Sequence, residues 1–194
     1  KSGDRLTHIY FPTTSVIGLT MTVDASSSLA VRIIGNEGML GIPLMLGANV
    51  SPLRAVVQGA GFALRMDALP FSRELSRSQP LRREIDREVF VHVGQLAQKA
   101  ACARFHMVEE RLACWLLMTE DCGHSGTFYI TQQFLSLMLG VRRVGITAAA
   151  GSLQERKLIG YSRGNIAILD RLGLKAASCS CYKANRELSQ RAFT

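Results

Sequence analysis

A chain of 194 residues and 21.2 kDa has room for one large or two small domains. With 47% apolar residues and a mean hydropathy of +0.14, wholesale disorder is excluded, and no stretch approaches the roughly 18 uninterrupted apolar residues of a membrane helix. A net charge of +8 and a pI of about 9.7 favour an anionic partner such as nucleic acid, with ordinary basic surface charge as the alternative.

The first seventy or so residues read as short strands. HIYFP, VIGLTMTV, LAVRII, AVVQG and GFALRM are rich in β-branched and aromatic residues and are bounded by Gly, Pro, Asp or Ser. Such spacing predicts an antiparallel sandwich or barrel. The Gly-rich GNEGMLGIPLMLGANVSPLR between them predicts a loop with one short helical turn. The opening KSGDRLTHIY is not a signal peptide, and its abrupt entry into a strand suggests further residues upstream.

From Pro80 the pattern becomes helical, with proline suited to a first helical position. Leu81, Ile85, Val89, Val93, Leu96, Ala100, Ala103 and Met107 recur every three or four residues and form one stripe. A helix this long needs either the domain core or a second copy of itself against that stripe. The spacing favours a homodimer seam, with Gly94 permitting close approach. EERLACWLLMTEDCG predicts a second amphipathic helix, and GTFYI a short strand. LIGYSRGNIAIL predicts a hairpin with Arg163-Gly164-Asn165 at its tip. LGLKAASCSCYKANRELSQRAFT predicts one final helix with a frayed end.

The segment LSLMLGVRRVGITAAAGSL, within Gln132 to Arg156, carries the most information. Thr131 suits an N-cap, Gln132–Leu139 a two-turn helix, and Gly140 a left-handed helix stop. A second helix then runs over about Arg142–Arg156, with Ile146, Ala149 and Leu153 facing inward. Ser136, Ala149 and Ala150 are small enough for a close crossing. This is the helix-turn-helix pattern. Between Thr131 and Leu169, five basic residues (Arg142, Arg143, Arg156, Lys157, Arg163) face one acid, Glu155, which puts half the net charge in a fifth of the chain. Arg142 and Arg143 sit where a groove-entering helix meets base edges, and an arginine there can bind guanine O6 and N7 together. Thr147 suits a thymine methyl or a phosphate. Thr131 and Gln132 suit a phosphate at the first helix's amide-rich start. Arg163 and Asn165 suit a wing on the DNA backbone.

The five cysteines, Cys102, Cys114, Cys122, Cys179 and Cys181, are odd in number and include no CxxC. Local spacing therefore speaks against a disulfide framework and against a metal site, and Cys179 and Cys181 are too close to chelate a metal by themselves. Free thiols in a reducing cytoplasm are expected. His8, His92, His106 and His124 each stand alone in sequence and are read as structural histidines rather than haem ligands. No Ser/His/Asp order, Walker loop or GxGxxG supports an enzyme.

These parts, in this order, resemble the Crp/Fnr family of bacterial transcription regulators. YITQQFLSLMLGVRRVGITAAAGSLQERKLIGYSRGNIAILDRLGL (129–174) is similar to the family's DNA-binding domain, and HMVEERLACWLLM to its helical lead-in. HIYFPTTSVIGL and GNEGMLGIPLMLG resemble a subgroup with a divergent sensor. The resemblance implies an α+β chain: a cyclic-nucleotide-binding-like antiparallel β-roll over 1–79 lacking its first segment, a dimerisation helix over 80–107, and a winged helix-turn-helix over 108–194. It implies a cytoplasmic homodimer on a pseudo-palindromic double-stranded DNA operator, with RNA polymerase a further partner and no membrane. Arg143 falls at a base-reading position of the family. Arg142 stands where Ser or Thr is common, Val144 where Glu is frequent, and Ala148 where some members have arginine. The family's cyclic-nucleotide binders use a Gly-Glu pair and an Arg followed by a small residue. Arg54-Ala55 fits the second role, but Glu37 precedes Gly38 and lies too far upstream for the first, so a standard cAMP response is not expected. No cysteine precedes Cys102, so an N-terminal iron–sulfur cluster of the Fnr type is unsupported, and no cofactor is expected. The alternative reading is a sensor module whose helix-turn-helix serves protein contact.

Overall fold

The computed structural model describes residues 3–24, 27–123 and 126–194. Strands β1 (His8–Pro12), β2 (Val16–Thr22), β3 (Ser28–Ile34), β4 (Arg54–Gly59) and β5 (Ala63–Asp67) fall where the β-branched runs predict them. All pairings are antiparallel. One sheet has the order β3-β2-β4, and β1 pairs with β5 so that His8 faces Asp67 and Pro12 faces Ala63. The Gly-rich loop holds the single turn α1 (Ile42–Met45).

Helix α2 (Ala68–Arg77) is not foreseen. Pro70 stands in its first turn, where proline is tolerated. Phe71 and Leu75, one turn apart, then reach a core shared with Ile9, Met39 and Ile85. Helix α3 (Gln79–Phe105) follows at once, and the Ser78 hydroxyl caps it by accepting from the Leu81 N–H at 3.4 Å.

The stripe on α3 divides between two tasks. Ile85 is buried in the N-terminal core and Leu81 and Val89 pack against it, whereas Val93, Ala100, Ala103 and Met107 are exposed. Phe90 and Val93, each 60% exposed, continue through Ala97 and Ala100 as an open apolar line. Gly94 does not serve that line: a Cβ there would lie 2.5 Å from Leu188 Cδ2. Its close neighbour is the chain's own last helix.

Helix α4 (Val108–Gly123) is the axle of the C-terminal part, with Leu112, Ala113, Leu116 and Leu117 fully buried. Around it lie β6 (Thr127–Tyr129), α5 (Gln132–Leu139), α6 (Arg143–Glu155), β7 (Ile159–Ser162) and β8 (Asn165–Ile168). The three strands form an antiparallel sheet in the order β6-β8-β7. Val16, Ala30 and Ile33 of the N-terminal sheet share this core. The final segment is two helices rather than one, α7 (Arg171–Ala177) and α8 (Cys181–Ala192). Ser178, extended at φ −78° and ψ 154°, ends α7, so Cys179 and Ser180 form a joint between them. Among the described residues no single helix is long and apolar enough to cross a membrane.

A buried polar network pins α3 to the N-terminal sheet. Arg32 on β3 pairs with Glu88 at 2.8 Å, both almost wholly buried. Glu88 also accepts from the Met39 N–H at 3.3 Å, and Arg32 Nη1 lies 3.0 Å from His92 Nδ1. Burial, reinforced by the Arg32 charge, holds His92 down at about 4 against an ordinary 6.5. His92 is therefore neutral in the fold and charged when unfolded between these values. Its contribution to stability is present above pH 6.5 and is lost as pH falls toward 4. Allowing for partial exposure, about 1–2 kcal/mol should disappear across that window. Denaturant titrations at stepped pH should show this loss, and His92→Gln should flatten it. An unchanged slope in that variant would assign the acid lability elsewhere.

Candidate nucleic-acid interface

The elements of the helix-turn-helix form as their residues dictate. The Thr131 hydroxyl accepts from the Phe134 N–H at 3.2 Å, capping α5. Gly140 takes φ 63° and ψ 42°, the left-handed stop that a Cβ would strain. Ser136 is more than a small residue at the crossing, because its hydroxyl donates to the Val141 carbonyl and ties down the turn. Helices α5 and α6 meet at 106°, within the helix-turn-helix range. Leu135, Met138, Leu139, Ile146, Ala149, Ala150 and Leu153 close the joint as buried residues, and Phe134 is half-buried. Arg111 locks it from below by donating to the Leu139 carbonyl at the end of α5.

Several of the residues singled out by sequence converge. Gln132 Oε1 accepts from Arg143 Nε at 3.3 Å and from the Thr147 hydroxyl at 3.1 Å. Thr131, Gln132, Arg143 and Arg163 line one open groove of about 390 Å³ between α5, α6 and the hairpin. Arg142 is the exposed N-cap of α6, so the helix starts at Arg143, one residue inside the expected Arg142–Arg156. Arg163 at φ 48° and Gly164 at φ 87° make the tight turn between β7 and β8, and Asn165 is the exposed first residue of β8. Two residues in a row with positive φ suit the twist of a two-residue hairpin loop and place Arg163 at its tip.

Arg156 stands apart. It lies about 20 Å along α6 from Arg143 and pairs with Glu109 at 2.8 Å. Of the basic set, Arg142, Arg143 and Arg163 are thus concentrated at one end. Two further groove residues, and one beside the groove, escape a search by charge. Gln133 and Tyr161 line the groove, and Tyr129, 72% exposed, lies under Gly164 so that a Cβ there would come within 3.2 Å of the ring. The Tyr161 hydroxyl donates to the Ile130 carbonyl at 3.3 Å, and burial raises its pKa against the opposing Arg143 charge. Aromatic residues in the wing strands were the available signal. Val144 is 74% exposed, and Ala148 is exposed on the same face of α6.

In the N-terminal part, a mostly apolar cavity of about 880 Å³ lies between the strands and α3. Ala55, His92 and Leu96 line it, whereas Arg54 does not and is exposed on β4. The Arg54-Ala55 pair is thereby split between surface and cavity. His8 pairs with Asp67 at 3.1 Å and His92 with Arg32, in keeping with structural roles. His124 lies outside the described residues. His106 is not alone, because its Nδ1 lies 3.4 Å from Cys181 Sγ.

Residues 110–177 match the Crp-like helix-turn-helix domain family. Solved structures agree over nearly the whole chain. FixK2 from Bradyrhizobium japonicum is 11% identical with a TM-score of 0.76, covering 92% of this chain and 90% of that one. A Crp-family transcriptional regulator from Thermus thermophilus is 11% identical with a TM-score of 0.74 and coverage of 91% and 90%. A Crp/Fnr-family regulator from the same organism is 17% identical with a TM-score of 0.71 and coverage of 92% and 95%. No curated protein matches by sequence. The α+β fold is similar to that of the two Thermus thermophilus regulators and of FixK2, and the match to the Crp-like helix-turn-helix domain covers its C-terminal part.

Proposed function

We propose that this chain, a Crp/Fnr-type regulator fold with a Crp-like helix-turn-helix domain, acts in the cytoplasm as a homodimeric, sequence-specific DNA-binding transcription regulator. The observation that carries the reading is the exposed Gln132–Arg143–Thr147 cluster on α5 and α6, with Arg163 of the wing across the same groove. Gln132 holds Arg143 Nε, which orients the guanidinium at the first turn of α6. There it presents parallel donors to guanine O6 and N7 in the major groove. Val144 and Ala148 offer apolar surface to thymine methyls. Thr131 at the start of α5, and Arg163 and Asn165 on the hairpin, suit phosphates and set the register.

The open line Phe90, Val93, Ala97 and Ala100 on α3 supports dimerisation through a parallel copy of that helix. A dimer would set two α6 helices about 34 Å apart on one face of a pseudo-palindrome. The apolar cavity against α3 supports an effector other than a standard cyclic nucleotide, since Arg54 does not face it. RNA polymerase is a further partner of this reading.

Selection of bound sites from random duplexes is expected to enrich two inverted half-sites one helical turn apart. Affinity for the selected site should fall steeply with salt, because each phosphate neutralised contributes about −0.9 to the log–log slope. Recovery of unrelated sequences with a flat salt response would favour the reading in which the helix-turn-helix contacts protein.

A further inference from the structure

Four ligating side chains that are far apart in sequence meet where the last turn of α3 touches the joint before α8. Cys102 and His106 stand one turn apart at the end of α3, and Cys179 and Cys181 flank Ser180. One ligand atom from each lies within 4.8 Å of all the others. The arguments from local spacing miss this group because each pair supplies only two ligands and the two pairs lie more than seventy positions apart. The fold joins Cys102 to Cys179 across 77 positions and His106 to Cys181 across 75.

We propose that Cys102, His106, Cys179 and Cys181 form a tetrahedral zinc site that clamps the end of α3 to the C-terminal helices. Bonds of about 2.3 Å to sulfur and 2.05 Å to nitrogen at tetrahedral angles separate two sulfurs by about 3.8 Å and a sulfur from a nitrogen by about 3.6 Å. The observed separations are 3.7 Å for Cys102 Sγ–Cys179 Sγ and 3.4 Å for Cys181 Sγ–His106 Nδ1. A disulfide would need about 2.05 Å between sulfurs. Three thiolates and an imidazole are a soft donor set suited to zinc, and four protein ligands leave no open position, as in structural sites. All three sulfurs are buried and His106 is half-buried.

The surroundings fit the charge. On binding, the three thiols release their protons to solvent. Three thiolates and one divalent ion leave a net −1. Lys99, on the preceding turn, lies close to Cys102 and Cys179; burial pushes its pKa down, and thiolates beside it oppose that shift. Gln98 Nε2 donates to Cys181 Sγ at 3.0 Å, an outer contact that orients the thiolate. Cys122 lies elsewhere, its thiol 3.5 Å from Glu37 Oε1.

Metal here would span the His106–Met107 link at which α3 gives way to α4. It would fix the pose of the head that carries α6 relative to α3. Metal binding itself is independent of the DNA-binding reading and is measured without DNA.

The test is metal analysis of the full chain purified under reducing, anaerobic conditions from zinc-supplemented cells, followed by exchange into cobalt(II). About one zinc per chain is expected, and the cobalt form should show the intense visible bands of a tetrahedral thiolate site. Cys179→Ser and His106→Ala should each reduce retained zinc at least about tenfold. Cys122→Ser should retain it, and His106→Cys should hold cobalt with a four-thiolate spectrum. Less than about a tenth of an ion per chain, with no tetrahedral cobalt spectrum, would overturn the site. So would an iron–sulfur absorption, or a Cys102–Cys179 disulfide in freshly isolated protein. Where a ligand variant fails to fold, the wild-type zinc count and cobalt spectrum decide.

Discussion

Replacing Glu88 by alanine is expected to destabilise the fold by about 3–5 kcal/mol, a large share of the roughly 5–15 kcal/mol that holds a domain together. The loss arises less from the missing attraction than from what remains. Arg32 is 2% exposed at its side chain and would keep a buried, uncompensated charge. The Met39 N–H would lose its acceptor as well. Burial pushes the Glu88 carboxyl upward even with Arg32 at 2.8 Å, so desolvation outweighs the attraction. The pair is therefore costly compared with an apolar one. It follows that Arg32→Met combined with Glu88→Leu should recover most of the loss or exceed the wild type. What the ionic network supplies is position: it joins β3, the Met39 loop and His92 of α3 at one point. Urea unfolding of the two single variants and the double variant measures the coupling. Additive losses in the double variant would remove the buried pair as the source of the effect.

Sequence reasoning went furthest where one residue dictates one local geometry. Thr131, Gly140 and the Arg163-Gly164 turn each have few alternatives, and each adopts the expected conformation. Strand positions followed from β-branched runs for the same reason. It went less far where a side chain had two possible partners. Gly94 permits a close approach, but periodicity cannot say whether a copy of α3 or the Leu188 of α8 makes it. The stripe on α3 likewise serves the N-terminal core at Ile85 and solvent at Val93, and a repeat of three to four residues looks the same in both. The break at Ser178 was hidden because AASCSC contains neither glycine nor proline. The cysteine–histidine group was illegible for the deepest reason, since its geometry exists only once α3 and α8 pack together.

The second large effect belongs to Arg143. Arg143→Ala is expected to weaken binding to the selected operator by about 1–3 kcal/mol, roughly 5- to 150-fold, while binding to unrelated duplex changes little. The asymmetry follows from geometry. Arg143 opens α6, and its Nε is engaged by Gln132 at 3.3 Å, so the guanidinium is oriented before DNA arrives and less rotamer entropy is lost on binding. A bidentate contact made in that pose distinguishes guanine from the other bases, and its loss should relax preference at one position in each half-site. Gln132→Ala should give a smaller loss at the same position, because it frees both Arg143 and Thr147 without removing the donors. Arg163 gives the contrast: at the hairpin tip its charge suits a phosphate, so Arg163→Ala should weaken all duplexes alike and lower the salt slope by about 1. Competition binding at several salt concentrations, with the selected site and single-base variants of it, separates these behaviours. If Arg143→Ala and Arg163→Ala produce the same uniform loss, Arg143 is a phosphate contact and base readout must come from Val144, Thr147, Ala148 and the shape of the groove.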